Sequence, residues 1–365
     1  MAQNNQNQVQ TDYLIDELLQ EMIRGGAGDL HITTGLAPTV NISGLLSTLK
    51  GFNVLQKEQV MSLIIQLLSE DQVEILYKEK EMDALYQLNE NARFRVNAYF
   101  ERGNLAATIR LIPQRILTLE ELHLPPLLYE FCKLPQGLVL ITGASGTGKS
   151  STVAAMINWI NQNRSVHIVT VEDPIEYMFK SDKALIHQRE MHIDTLSWEN
   201  AIRSTLRENA DVIFIGEIRD YKVMALAISA AEAGHLVFST LHTYSAEQTV
   251  ERIIGIFPEI LQKQVKMQLS GILEGVVTQS LIKTTDGKER LPAVEIMIST
   301  QAVKNTIREG NTHFLRNIIN TTSDIGMVSM ERSLADLVTA GKITMEEALT
   351  RTLNPSEVIR YVKGN

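Results

Sequence analysis

Residues 138–150 read LVLITGASGTGKS, so five strand-forming residues run directly into the pattern G-x-x-x-x-G-K-S. Glycines let successive backbone N–H groups curl around phosphate oxygens, and a helix that begins at the loop adds the positive end of its dipole. The residues after Ser150 are compatible with a helix. A strand, this glycine-rich loop and a helix in succession predict a P-loop that binds a nucleotide.

Two side chains of this loop have specific predicted roles. Lys149 is expected to reach the β- and γ-phosphates, and Ser150 is expected to bind Mg²⁺. The other residues are expected to surround the phosphates mainly through the backbone. The predicted nucleotide-binding residues are Gly143, Ala144, Ser145, Gly146, Thr147, Gly148, Lys149, Ser150 and Ser151.

Outward from the loop, continuous apolar runs alternate with helical patterns. Strands that are apolar along their whole length are typical of a parallel sheet buried on both faces. The alternation therefore predicts an α/β domain, followed after Ser245 by a mostly helical part with a hairpin at Asp286-Gly287. The expected strands are 138–142, 166–171, 212–215 and 236–240, and the expected helices are 151–161, 197–207 and 221–233.

The preceding part of the chain predicts a separate, smaller α+β domain. It combines helical patterns from Thr11 and at 57–68 with strands at 82–88, 94–100 and 105–112. Arg102-Gly103 is the expected hairpin turn. The predicted division is a disordered N-terminus at 1–10, an α+β domain at 11–112, a proline-containing linker at 113–126 and the P-loop domain with the helical C-terminal region at 127–365.

Composition excludes several classes of protein. One cysteine, Cys132, rules out an internal disulfide framework and a zinc site with two thiolates. A net charge of −9, from 34 Lys+Arg against 43 Asp+Glu, argues against a large nucleic-acid-binding surface. No apolar run approaches the ~20 residues of a membrane span, and the polar start is unlike a signal peptide. A soluble, cytoplasmic protein is expected.

Carboxylates follow two of the expected strands. Glu217 ends the run 211–217, DVIFIGE, where it is expected to organise Mg²⁺ through water. Residues 170–176, TVEDPIE, place Glu172, Asp173 and Glu176 close together. Carboxylates so near each other repel, and a bound cation or a water to be deprotonated explains them. A solvated acidic turn is the alternative for this stretch.

Two further pairs of residues are candidates for the site. His235 and His242 bracket the strand 236–241, where both are expected to sense the γ-phosphate through hydrogen bonds, although a histidine at a strand end is often structural. A two-residue turn at Arg102-Gly103 would place Arg95 opposite Arg110. Opposed arginines destabilise a sheet unless an anion lies between them, and a triphosphate would serve. A solvated basic face is the alternative.

Three segments resemble the signature boxes of one family. TVEDPIE is similar to its acidic box, DVIFIGEIRD at 211–220 to its atypical Walker B strand, and AGHLVFSTLHT at 233–243 to its histidine box. Together they resemble the RecA-like secretion ATPases that drive type IV pili and type II secretion. The similarity runs in matching order from about residue 10 to the end of the chain.

Within this superfamily the chain most resembles the type IV pilus retraction ATPases. It is short, it lacks a four-cysteine zinc element, and residues 302–309, AVKNTIRE, are similar to the signature helix AIRNLIRE. Val303, Lys304 and Thr306 depart from that pattern, so a divergent paralogue is the alternative to a principal retraction motor.

The resemblance implies a RecA-like P-loop domain, a smaller N-terminal α+β (PAS-like) domain and a helical C-terminal part. It implies ATP and Mg²⁺ as cofactors, with Glu176 orienting or deprotonating the attacking water and Glu172 as the alternative. Arginines from the N-terminal domain are implied too, for which Arg95 and Arg110 are the candidates. Arg207 and Arg219 are further candidates near the site.

The implied activity is ATP hydrolysis by a homohexameric ring that powers pilus retraction and twitching motility. The implied place is the cytoplasmic face of the inner membrane, with a platform protein, and in some systems a paralogous motor, as partners. No nucleic acid is expected. The alternatives are a pilus extension or type II secretion motor, a helicase, which the acidic charge disfavours, and a nucleotide-binding adaptor that does not hydrolyse.

Overall fold

A computed structural model describes residues 14–42, 45–89, 92–112 and 115–364. The chain divides into two compact units, one up to Arg115 and one from Ile116 onward. The disorder predicted for residues 1–10 lies outside the described residues, as do positions 113 and 114 of the expected linker. No helix in the described ranges is long and apolar enough to cross a membrane.

The first unit contains helices on an antiparallel sheet with the strand order β3-β2-β1-β6-β5-β4. Its elements are α1 (Ile15–Arg24), β1 (Asp29–Thr33), β2 (Thr39–Ile42), β3 (Leu45–Thr48), α2 (Lys57–Ile65), α3 (Glu70–Glu79), β4 (Glu81–Asn89), β5 (Ala92–Glu101) and β6 (Asn104–Ile112).

The hairpin of β5 and β6 turns at Arg102 and Gly103, whose φ angles are 50° and 79°. Two positive φ angles are what a two-residue hairpin turn requires, because its twist then matches that of the strands. The register pairs Glu101 with Asn104 and Arg95 with Arg110. The predicted hairpin and its register are therefore confirmed.

Helix α3 is not predicted from the sequence. Its only buried residue is Leu76, so it carries no apolar stripe. Ser69 caps it by accepting a hydrogen bond from the backbone of Gln72, whose side chain accepts from the backbone N–H of Ser69 at 3.0 Å. This capping box starts the helix where periodicity gives no signal.

The second unit is built on a seven-stranded sheet with the order β13-β12-β7-β11-β10-β8-β9. Its elements are α4 (Leu128–Lys133), β7 (Gly137–Thr142), α5 (Lys149–Asn163), β8 (His167–Glu172), β9 (Leu185–Glu190), α6 (Trp198–Thr205), β10 (Val212–Glu217), α7 (Tyr221–Glu232), β11 (Leu236–Leu241), α8 (Ala246–Gly255), α9 (Glu259–Ile272), β12 (Leu273–Lys283), β13 (Arg290–Ile298), α10 (Gln301–Glu309), α11 (Leu315–Thr321), α12 (Met330–Thr339), α13 (Met345–Thr350) and α14 (Pro355–Lys363).

Six strands of this sheet run parallel to one another, and the edge strand β13 pairs antiparallel with β12. Every residue of β7 and β11 is buried, as the continuous apolar runs predict. The helices between the strands cover both faces with apolar side chains. The predicted parallel α/β architecture is confirmed.

The end of the chain holds more sheet than the sequence predicts. The hairpin around Asp286-Gly287 is confirmed, but its strands β12 and β13 span 11 and 9 residues. β12 pairs with β7 and therefore extends the main sheet. Edge strand β9, with its alternating burial, is also missed by the sequence analysis.

Residues 116–126 of the expected linker belong to the second unit. Leu119 is 1% exposed and Leu124 is 4% exposed. Both pack in the core of the second unit with Leu128 and Phe131. Burial of these two leucines attaches the residues from Ile116 onward to that unit.

Close packing of α4 on β12 depends on a glycine. A Cβ added to Gly275 would collide with the ring of Phe131, whereas a Cβ added to Gly271 in α9 would meet nothing within 4 Å. We expect Gly275→Ala to lower the free energy of unfolding of the second unit by about 1–3 kcal/mol, because an overfilled core forces side chains out of place. Thermal unfolding followed by circular dichroism measures this as a lower midpoint.

Gly271→Ala is the matched control, since alanine in a helix is at least as favourable as glycine. Equal midpoints for Gly275→Ala and the wild type would contradict this description of the core.

Candidate nucleotide-binding site

The P-loop joins β7 to α5 through a backbone that only glycine adopts readily. Gly143, Gly146 and Gly148 have φ angles of 140°, 75° and 87°. A Cβ on Gly143 would also collide with the backbone oxygen of Gln279, so the loop touches β12 directly. Helix α5 begins at Lys149, directly after the loop. Its first backbone N–H groups have no partner inside the helix and suit an anion.

Lys149 lies within the loop. Its side chain is 8% exposed, and its Nζ donates to the backbone oxygens of Gly143 at 2.9 Å and Ala144 at 2.8 Å. Burial lowers the pKa of Lys149, while the charges of Glu217 and Glu176 oppose that shift. The ammonium is therefore already desolvated and lies near two carboxylates.

The other predicted loop residues differ in their surroundings. Ser145 and Gly146 are exposed at the tip, and Ser150 is half-buried. The Thr147 hydroxyl donates to the backbone oxygen of Ala144 at 2.9 Å. Ser151 shares a hydrogen bond of 2.7 Å with the hydroxyl of Tyr177, so it connects α5 to the segment that follows the acidic box.

Glu217 lies at the same edge of the sheet, because β10 runs parallel to its neighbours and ends there. Its carboxylate accepts from Arg219 at 3.1 Å and lies 3.3 Å from Nε2 of His242. The Arg219 guanidinium has a raised pKa because of this hydrogen bond and the charge of Glu217. The fold thus brings Glu217, His242 and Arg219 together.

Glycine at position 216 lets two strand ends approach closely. A Cβ there would lie 3.3 Å from the Cα of Glu172. The pairing of β10 with β11 also shifts register between Ile215 and Glu217. Gly216 is therefore the residue that the pairing skips, and Glu217 pairs with Thr240 on β11.

Glu172 is buried at the end of β8, with 6% of its surface exposed. Its Oε1 accepts from the Thr170 hydroxyl at 2.7 Å and from Nε2 of Gln188 at 3.2 Å. Burial raises the pKa of Glu172 to about 7, although these hydrogen bonds oppose the shift. Glu176, four residues later, is exposed. The two candidate bases therefore have very different environments.

His235 is not part of this arrangement, which corrects the prediction that both histidines meet the γ-phosphate. It precedes β11 at the amino edge of the sheet, and its Nδ1 lies 2.6 Å from the backbone oxygen of Ala210. The six residues of β11 separate it from His242 by about 20 Å. Within one chain only His242 lies at the P-loop edge.

Arg207 also lies at the amino edge. Its neighbour Glu208 presents a backbone oxygen 3.1 Å from Nδ1 of His167, at the start of β8. Arg219 is therefore the one of the two additional arginine candidates that lies near the P-loop of its own chain.

The argument for an anion between Arg95 and Arg110 is wrong. The two residues are paired as predicted, but Arg110 donates to Asp29 at 2.6 Å and Arg95 lies 3.8 Å from Asp83. Carboxylates of the first unit thus offset the repulsion that the sequence analysis assigned to a nucleotide.

Three functional-site neighbours are absent from the sequence analysis: Tyr177, Gln188 and Gln279. The sequence gives no clear signal for Gln279, because residues 273–282, LEGVVTQSLI, contain several other polar residues. In the described part of the chain, no group of three or more His, Cys, Asp or Glu side chains could hold a metal ion. A metal at this edge would need ligands from the nucleotide or water.

The chain is similar to known proteins over nearly its full length. It matches the family described as type II/IV secretion system protein at residues 3–354. It is 40% identical over 341 residues to the type IV pilus retraction ATPase PilT of Pseudomonas aeruginosa, covering 93% of this chain and 98% of that protein. It is 44% identical over 297 residues to a twitching motility protein of Neisseria gonorrhoeae, covering 81% and 79%.

A crystal structure of the pilus retraction motor PilT with bound ADP matches the fold with a TM-score of 0.89 at 39% identity, covering 96% of this chain and 100% of that one. This match confirms the predicted RecA-like ATPase domain, with its N-terminal α+β domain and helical C-terminal part. The chain belongs to the type II/IV secretion system protein family.

Proposed function

We propose that this P-loop ATPase is a ring-forming motor that powers type IV pilus retraction, and with it twitching motility. The observation that carries the proposal is the 40% identity to a retraction ATPase, which extends over 98% of that protein. The ring is a homohexamer at the cytoplasmic face of the inner membrane. There it acts on a membrane platform protein, alongside a paralogous motor where one exists.

The residues at the carboxyl edge of the sheet fit a magnesium nucleotide. Ser150 in the first turn of α5 and Glu217 at the end of β10 would hold Mg²⁺, because Mg²⁺ prefers oxygen ligands, and Glu217 would do so through water. Mg²⁺ would neutralise charge on the phosphates. Lys149 holds the β- and γ-phosphates, and Arg219 and His242 keep the Glu217 carboxylate oriented.

Glu176 orients or deprotonates the attacking water. Its carboxylate is exposed and lies close enough to Lys149 to influence the pKa of that ammonium. Glu172, by contrast, has its Oε1 engaged by Thr170 and Gln188. These contacts favour Glu172 as a support for the acidic box and Glu176 as the group that meets water.

Arg95 and Arg110 act on the nucleotide of a neighbouring subunit. Their side chains are partly exposed, at 43% and 68%, and their carboxylate partners are on the same sheet. The Arg95–Asp83 pair is exposed on both sides and contributes little to stability, so Arg95 can exchange Asp83 for a phosphate at small cost. Asp29 is only 13% exposed, so Arg110 gives up a stronger ion pair when it turns to a phosphate.

The nucleotide site is tested by removing the positive charge of Lys149. We expect Lys149→Ala to weaken binding of ADP by at least about tenfold, because the ammonium is the main positive charge on the phosphates. Titration with a fluorescent ADP analogue measures the change. Lys133→Ala is the control, since Lys133 is exposed and pairs with Glu130 on the surface of α4. Unchanged affinity in Lys149→Ala would place the nucleotide elsewhere.

The assignment of the base is tested by exchanging each carboxylate for its amide. We expect Glu176→Gln to lower kcat by ~10²–10⁴ while ADP still binds, because the proton acceptor is gone and the shape is kept. Glu172→Gln should lower kcat much less. The reverse order of the two effects would exchange the two roles.

Glu172→Gln has its own signature in stability. Burial raises the pKa of Glu172 from 4.5 to about 7, so the folded protein binds a proton that the unfolded chain has released. The contribution of Glu172 to stability therefore falls as the pH rises through this window and stays low above it. Relative to wild type, Glu172→Gln should raise the melting midpoint more at pH 8 than at pH 5, and exposed Glu176→Gln should not.

The motor function is tested through α10. Ile307 is fully buried in the core of the second unit, whereas Arg308 is exposed and offers a clean surface variant. In a piliated strain that lacks this chain, the wild type should restore pilus retraction. Arg308→Ala should keep ATPase activity and lose retraction, because α10 couples the ring to the pilus machinery rather than to ATP.

Arg332→Ala, which changes a partly exposed arginine of α12, is the control for Arg308→Ala. Parallel loss of ATPase activity and retraction in Arg308→Ala would contradict the coupling role. A wild-type chain that hydrolyses ATP without restoring retraction would contradict the motor proposal itself.

A further inference from the structure

A strand from much later in the chain, β12, lies along one side of the P-loop. β12 pairs with β7 in parallel, and the register sets Thr278 beside Thr142, the last residue before the loop. The hydroxyls of these two threonines share a hydrogen bond of 2.9 Å. The next residue, Gln279, therefore lies beside the first glycine of the loop.

Gln279 contacts the P-loop through both its backbone and its side chain. Its backbone oxygen occupies the space that a Cβ on Gly143 would need. Its side-chain nitrogen lies 3.0 Å from where a Cβ on Gly148 would be. The residue is 5% exposed, so it fills the interior beside the loop from its first glycine to its last.

The side-chain oxygen of Gln279 reaches the first turns of α5. Oε1 accepts a hydrogen bond from the Thr152 hydroxyl at 2.7 Å, and that hydroxyl is also 3.1 Å from the backbone oxygen of Gly148. Thr152 is itself fully buried. The amide thus ties the helix that follows the loop to the strand beside it.

We propose that Gln279 is a positioning residue of the nucleotide site, which sets the P-loop and the start of α5 against β12 through Thr152. The proposal rests on the nucleotide site described above. The groups that bind the phosphates are the backbone N–H groups of the loop and of the first turn of α5. These groups move together with the helix, so the position of the helix determines where they point. A small displacement of such groups costs binding, because their value depends on alignment with the phosphates.

The hairpin of β12 and β13 also connects this site to the segment after β11. On the partner strand β13, Glu295 is paired with Thr278, and its Oε1 accepts from the backbone N–H of Ala246 at 2.7 Å. Ala246 begins α8, four residues after His242. The hairpin of β12 and β13 therefore contacts the P-loop through Gln279 and the segment that follows β11 through Glu295.

The experiment measures nucleotide affinity and kinetics in three variants of the full chain. Gln279→Leu and Thr152→Val should each raise the ADP dissociation constant and the KM for ATP by about 5- to 30-fold, the range expected when a displaced N–H group loses its hydrogen bond to a phosphate. The kcat at saturating ATP should fall by less than about threefold. The double variant should be no weaker than the worse single variant, since both remove the same interaction.

Two matched variants separate positioning from folding. Thr152→Ser keeps the hydroxyl and should bind ADP nearly as the wild type does. Thr205→Val removes another buried hydroxyl, which donates to the backbone oxygen of Ala201 at 3.0 Å in α6. It should lower the melting midpoint and leave ADP affinity unchanged.

Two results would overturn the role of Gln279. One is an unchanged dissociation constant and KM in Gln279→Leu. The other is an effect of Gln279→Leu that multiplies with that of Thr152→Val in the double variant. If Lys149→Ala weakens ADP binding in the same assay, these results reject only the positioning role. If Lys149→Ala binds like wild type, the nucleotide site itself is rejected.

Discussion

Parallel pairing of six strands is the constraint on which the site depends. Because β12, β7, β11, β10, β8 and β9 all run in one direction, their carboxyl ends meet at a single edge. The P-loop follows β7, the buried Glu172 ends β8, Glu217 ends β10 and His242 follows β11. Residues that are far apart in sequence thus become neighbours, and reactive side chains collect at this edge, as in other open α/β sheets.

Charge at this edge is unbalanced in a way that suits the proposed magnesium nucleotide. Glu176 and Glu217 lie near a lysine whose pKa is lowered by burial, and the buried Glu172 ends β8 at the same edge. Burial alone favours the neutral forms of carboxylates and of the lysine ammonium. The raised pKa of Glu172 shows this effect for a carboxylate. A magnesium nucleotide brings both a cation and anionic phosphates, so it can interact with both sets of charges. Hydrogen bonds from Thr170, Gln188 and Arg219 keep the carboxylates oriented meanwhile.

The first unit shows what strand register can predict and what it cannot. The turn at Arg102-Gly103 determines that Arg95 faces Arg110, and the structure has this pair. The conclusion that an external anion must separate them fails, because Asp29 and Asp83 lie on neighbouring strands. Pairing within one hairpin depends on neighbouring residues alone. The carboxylates of Asp29 and Asp83 come from β1 and β4, and the sequence pattern does not show which strands lie beside the hairpin.

The sequence by itself determined the P-loop, the parallel α/β domain around it and the two-residue hairpin turn, since each depends on neighbouring residues and on backbone angles that glycine adopts. Only the tertiary structure decided that His235 lies at the far edge while His242 lies beside Glu217, that Glu172 is buried while Glu176 is exposed, and that Gln279 touches the loop. The physical reason is distance along the chain. Gln279 lies more than a hundred positions after Gly143, and only the pairing of β12 with β7 makes them neighbours.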